Sequence, residues 1–164
     1  MKTKIWKSNA INLMLFLLFV MTDQVTKHLA SFYLQNKPRV PIIPSAFGLS
    51  YVENSGAAWG IFSGRIGIFA IITCIVIVGI LFVYIRMPFQ PKYRLLRFTI
   101  VLLLSGAVGN FIDRMKNKFV VDFFDFHLID FPVFNVADIF VCISAFLLLY
   151  CFIFKYKEED LKWK

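Results

Sequence analysis

Five of the chain's ten acidic residues fall between positions 106 and 138, in a stretch reading GAVGNFIDRMKNKFVVDFFDFHLIDFPVFNVAD. Asn110, Asp113 and Arg114 are spaced i, i+3, i+4 and share one face of a helix. Asn135 and Asp138 are spaced i, i+3, and Asp138 falls about one turn inside its apolar segment, near a helix N-terminus that favours negative charge. Asp122 sits in the loop between the two groups, flanked by Val120, Val121, Phe123 and Phe124. Apolar neighbours desolvate a carboxylate and raise its pKa. Two carboxylates in one partly desolvated site do not easily both ionise, so one keeps a proton while the other is charged. That pair suits general acid and base catalysis on a water molecule, with no metal and no covalent intermediate. Peptide hydrolysis is the natural reaction.

The elements that position these residues are spans of a membrane protein. Of 164 residues 59% are hydrophobic and 20 are Phe, more than a soluble domain of this size covers with polar surface. The length predicts one domain, residues 1–164. Four spans are expected, at about 10–33, 66–85, 95–112 and 134–154, the third short and carrying Arg97, which can snorkel. Lys2, Lys4 and Lys7 precede an apolar run that resembles a secretory signal, but no small-residue cleavage site follows, and a retained first span is expected. Eleven of the eighteen basic residues lie in the N-terminus, the connection between spans two and three and the C-terminal tail, which makes that side cytoplasmic, with both termini inside. Span one then brings Asp23, span three Asn110 and Asp113, and span four Asn135 and Asp138 to one level near the outer leaflet.

The outer loops are about 34–65 and 113–133. Pro38, Pro41 and Pro44 argue against a helix at the start of the first. Phe47, Leu49 and Tyr51 alternate with Gly48, Ser50 and Val52 and predict a strand. A small outer sheet and a short interfacial helix carrying Trp59 and Phe62 are expected there. The fold class is therefore an all-α membrane protein of four transmembrane helices with a small extracytoplasmic sheet.

Other chemistries fit poorly. The net charge of +8 comes from residues that flank apolar segments, so nucleic acid is not expected as a partner. His28 and His127 lack metal-ligand spacing, and Cys74, Cys142 and Cys151 read as small buried apolar residues; neither metal nor cofactor is expected. Asp113 beside Arg114 reads as a structural ion pair, and Asp23 pairs with Lys27 at i, i+4. Asp125 and Asp130 read as solvated loop charges. A proton-coupled transporter would place polar residues through the full depth of the bundle, and here they stop at one end. A non-catalytic anchoring protein, packed through Ser105 and Gly109, would tolerate Asp122→Asn and Asp138→Asn.

Four stretches in order carry a family resemblance: Asp23-Gln24-Val25-Thr26-Lys27; Asn54-Ser55-Gly56-Ala57-Ala58-Trp59-Gly60; Gly109-Asn110-Phe111-Ile112-Asp113-Arg114 with Val120-Val121-Asp122-Phe123; and Phe134-Asn135-Val136-Ala137-Asp138. Together they resemble lipoprotein signal peptidase, or signal peptidase II. The resemblance implies a bacterial inner or plasma membrane aspartyl endopeptidase. It would remove the signal peptide from diacylglyceryl-modified prolipoproteins, cutting just before the lipid-modified cysteine. By motif, Asp122 and Asp138 would be the catalytic pair. Asn54, Gly56, Asn110, Arg114 and Asn135 would bind substrate or support the pair, and Asp23, Asp113 and Lys27 would be structural support. Asp113 with Asp138 stays open as a second pairing. The partners implied are the prolipoprotein and membrane lipids, with the chain acting as a monomer.

Overall fold

The computed structural model describes residues 2–56 and 66–162. The expected interfacial helix, with residues 57–60 and Phe62, lies outside the described residues. The order is helix α1 (Lys2–Leu34), strands β1 (Val40–Ile43) and β2 (Phe47–Asn54), helix α2 (Ile66–Arg86), helix α3 (Arg94–Asn117), strand β3 (Val120–Asp125), helix α4 (Val136–Tyr150) and a short helix α5 (Glu158–Leu161). Among the described residues three segments are long and apolar enough to cross a bilayer: Asn9–Leu34, Pro91–Asn117 and Val136–Lys155. Helix α2 is 21 residues long, and its stretch Ala70–Arg86 is a shorter apolar helix.

Helix α3 is central and packs against α1, α2 and α4. It runs 24 residues, so Asn110, Asp113 and Arg114 lie within the helix rather than at the expected end near residue 112. Small residues bring its neighbours close. A Cβ on Gly106 would stand 2.5 Å from the Ala137 carbonyl oxygen, and one on Gly109 would meet the Asp23 carboxylate. Gly109→Ala is therefore expected to lower stability by about 1–3 kcal/mol, read as a lower unfolding temperature in detergent. Ser105 is fully buried, with its hydroxyl bonded to the Val101 carbonyl.

Arg97 does not snorkel. It is 3% exposed, donates to the Met87 carbonyl at 2.7 Å and stacks over Phe89, which fastens the turn between α2 and α3. Only Cys151 of the three cysteines is buried; Cys74 and Cys142 are exposed on α2 and α4.

The three strands form one antiparallel sheet in the order β1-β2-β3. Pro41 is tolerated because β1 is an edge strand. Asp122 lies on β3 and not in a loop, opposite Val52 of β2. The hydrophobic pattern hid that strand because VVDFFD does not alternate. Val121 and Phe123 pack on Ala30 and Leu34 of α1, while Val120 and Asp122 face a cavity on the other side.

Candidate active site

Local structure delivers each polar group. Helix α3 stops where Lys118 takes a left-handed conformation (φ 67°), and β3 begins two residues later. The chain then returns along β3: the Phe123 and Phe124 N–H groups both donate to the Phe134 carbonyl, at 3.0 and 2.8 Å. That strap sets Asn135 beside Asp122. Asn135 is not inside a helix but is the N-cap of α4. Its side-chain oxygen accepts from the Asp138 N–H at 3.1 Å, and Asp138 Oδ2 accepts from the Asn135 N–H at 3.1 Å.

One network joins the polar residues. Asn135 Nδ2 donates to Asp122 Oδ1 at 2.6 Å and to Asn110 Oδ1 at 3.2 Å. Asn110 Nδ2 donates to Asp138 Oδ1 at 2.8 Å. Asn54 Nδ2, at the end of β2, donates to Asp122 Oδ2 at 2.9 Å, and its Oδ1 accepts from the Gly56 N–H at 3.0 Å. Behind this layer Lys27 Nζ lies 3.0 Å from Asp23 and 3.1 Å from Asp113. Asp23 pairs with Lys27 as expected. The cation in contact with Asp113 is Lys27 of α1, and the neighbouring Arg114 also feels the Asp113 charge. Gln24, unassigned by sequence, bridges Asp23 and Asp113 at 3.1 Å each. Only its place beside Asp23 in the first motif could have marked it.

Asp122 and Asp138 line a cavity of about 340 Å³ with Asn54, Gly56, Asn110 and Arg114. Phe131, Pro132, Val133 and Phe134 close one side, a wall that sequence reasoning missed. Asp113 is turned instead to Lys27, Gln24 and the Val121 N–H. Asp130 is exposed, and Asp125 is half-buried, 4.0 Å from Arg39. Among the described residues no group of three His, Cys, Asp or Glu could hold a metal ion.

Burial pushes the Asp122 carboxyl up to about 6, with the nearby Asp138 charge adding to the rise and the Asn54 and Asn135 hydrogen bonds opposing it. An acid whose folded value lies above its unfolded one binds an extra proton when folded. Stability is therefore full below about pH 4 and is lost as pH rises to about 6, by about 3 kcal/mol. The unfolding temperature of Asp122→Asn relative to the native chain is expected to climb over that window and then level off. A difference that stays flat with pH would contradict this.

The family model described as signal peptidase (SPase) II matches residues 15–154. The chain belongs to the signal peptidase II family. It is 44% identical over 147 residues to the lipoprotein signal peptidase of Caldanaerobacter subterraneus subsp. tengcongensis, covering 89% of this chain and 97% of that one. It is 40% identical over 144 residues to that of Clostridium acetobutylicum, covering 86% and 92%. It is 39% identical over 137 residues to that of Bacillus subtilis, covering 82% and 88%. A solved bacterial membrane enzyme superposes with a TM-score of 0.76 at 33% identity, covering 87% of each chain. As a signal peptidase II the chain is an aspartic-type peptidase of a family that cleaves signal peptides from prolipoproteins, and its apolar helices fit a bacterial membrane.

Proposed function

We propose that Asp122 and Asp138 are the catalytic pair of this peptidase. The observation that carries the proposal is that both carboxylates line one cavity and are linked through the Asn135 and Asn110 side chains. Asp122, buried and with a raised pKa, holds the proton at mildly acid pH. Asp138 sits at the α4 N-terminus and accepts from the Asn110 carboxamide and the Asn135 N–H. Asp138 then takes a proton from a water as that water attacks the scissile carbonyl, and Asp122 donates its proton to the carbonyl oxygen. Collapse of the tetrahedral adduct moves a proton to the leaving nitrogen and breaks the C–N bond. The rate is expected to fall as pH rises above about 6, because the protonated form of Asp122 is consumed.

Asn54, Asn110 and Asn135 hold the two carboxylates, and Gly56, which lines the cavity without a side chain, lets its loop approach the substrate. Arg114 lines the cavity and offers donors to a substrate carbonyl. Asp23, Asp113 and Lys27 support these from behind. The chain acts as a single domain and a monomer, with four spans, both termini cytoplasmic and the cavity near the outer leaflet. That depth suits a substrate whose signal helix lies in the bilayer and whose lipid chains lie in the outer leaflet.

The substrate is a diacylglyceryl-modified prolipoprotein, cut just before its modified cysteine. The test is cleavage by the purified protein in lipid discs of a diacylglyceryl-modified prolipoprotein beside its unmodified form, with product masses read. Cleavage of the modified form alone, with the modified cysteine as the new N-terminus, is the expected result. Equal cleavage of both forms, or a cut elsewhere, would sink this reading.

A further inference from the structure

Lys27 is a lysine on an apolar helix, 3% exposed, outside the cavity, and its ammonium has three N–H groups to satisfy. All three are met, by Asp23 Oδ2 at 3.0 Å, Asp113 Oδ2 at 3.1 Å and Asn110 Oδ1 at 2.8 Å. Each acceptor leads on to the aspartate pair. Asp23 Oδ1 accepts from the Ala137 N–H at 2.9 Å, the residue before Asp138. Asp113 Oδ2 accepts from the Val121 N–H at 3.1 Å, the residue before Asp122. Asn110 donates directly to Asp138 Oδ1 at 2.8 Å.

Resting on the assignment of Asp122 and Asp138 as the pair, we propose that Lys27 is a positioning residue for the reaction: one buried ammonium sets the backbone beside both aspartates and fixes which way the Asn110 carboxamide faces.

A lysine ammonium only donates, so it requires the oxygen end of Asn110 to face it. The nitrogen end must then face Asp138, where it donates to the carboxylate. Without the ammonium that orientation loses its one charged donor, and the 3.2 Å bond from Asn135 and the 2.8 Å bond to Asp138 are left to select it. A structural ion pair alone would need one carboxylate, and its arms would not converge on two separate elements. The charged groups that face the ammonium are Asp23 from α1 and Asp113 from α3, and its charge also reaches Asp122 on β3; Arg114 of α3 interacts with Asp138, Asp122 and Asp113. From β2, the Tyr51 hydroxyl donates to Glu53 at 3.1 Å. Lys27 supplies positive charge toward Asp122 and opposes the rise in its pKa.

The test compares wild type, Lys27→Met and the double variant Lys27→Met/Asp113→Asn in lipid discs, with diacylglyceryl-modified prolipoprotein as substrate. The double variant removes one buried cation and one buried anion, so the charge behind the pair is kept and folding is protected. Folded protein is measured by thermal unfolding, and kcat, KM and the pH profile are read separately. The expected result is a fall in kcat of about a hundredfold in both variants with KM within about twofold. In Lys27→Met the decline of the rate at high pH is also expected to move up by about one pH unit. The position of a pH profile does not depend on how much of the sample is active, so misfolding alone cannot shift it. A folded double variant with wild-type kcat, a Lys27→Met profile that does not move, or unfolding of both variants would assign Lys27 to the fold alone and overturn the proposal. Loss of cleavage in wild type itself would instead fault the peptidase reading.

Discussion

Asp122→Asn and Asp138→Asn are each expected to slow cleavage by about 10⁴-fold, with KM little changed. The reason is chemical more than steric. Asparagine keeps the shape of aspartate and one acceptor oxygen, so Asn54 and Asn135 can still hold one side of residue 122, and α4 can still be capped. What is lost is the ability to carry a proton in one state and a charge in the other. Either substitution leaves one carboxylate without its complement, and the two are not expected to add in the double variant, because the pair acts as a unit. At neutral pH Asp122→Asn is also expected to be the more stable protein, since it removes a carboxylate that burial holds near pKa 6. Stability gained where activity is lost is a mark of a buried functional acid. Rates from single turnovers, set beside unfolding temperatures, check both halves.

Asn135→Ala is expected to lower kcat by about 10²–10³-fold and to cost about 1–2 kcal/mol of stability. Asn135 is fully buried and its amide serves three sites at once. Its oxygen caps α4 through the Asp138 N–H, while its nitrogen donates to Asp122 and to Asn110. Alanine removes the cap and unties Asp122 from Asp138 in one step. Asn135→Ser separates the two effects: serine still caps a helix N-terminus but is too short to span to Asp122. Stability is expected to recover in Asn135→Ser while kcat stays low. Recovery of both would reduce Asn135 to a helix cap.

That these polar residues come together is legible because it needs only topology. Asp23, Asn110, Asp113, Asn135 and Asp138 were assigned to one end of the bundle from span direction, and the network does join them. The strand over Phe47–Asn54 was legible from its alternation. The strand carrying Asp122 was not, because both of its faces are covered and the period-2 signal vanishes. The i, i+3 spacing of Asn135 and Asp138 near a helix N-terminus also spells a capping box, which is what the structure shows. The contact between Asp113 and Lys27 is hidden for a different reason. Sequence shows neighbours, and Arg114 was the neighbour; Lys27 reaches Asp113 only once α1 and α3 are packed, which Gly109 permits by letting Asp23 come close. Arg97 was expected to reach for water, and the aromatic rings of Phe89 and Tyr84 offered it a closer resting place.

The central claim is that Asp122, and not Asp113, completes the pair with Asp138. Its most direct test is one rate comparison in lipid discs on a diacylglyceryl-modified prolipoprotein: wild type, Asp122→Asn, Asp138→Asn and Asp113→Asn, with chelator present and folding checked for each. In Asp113→Asn the carboxamide oxygen can still accept from Lys27 and the Val121 N–H, so its rate is predicted to stay within about tenfold of wild type, while the other two fall by about 10⁴-fold. Active Asp122→Asn beside inactive, well-folded Asp113→Asn would contradict the account and move the pair to Asp113 and Asp138.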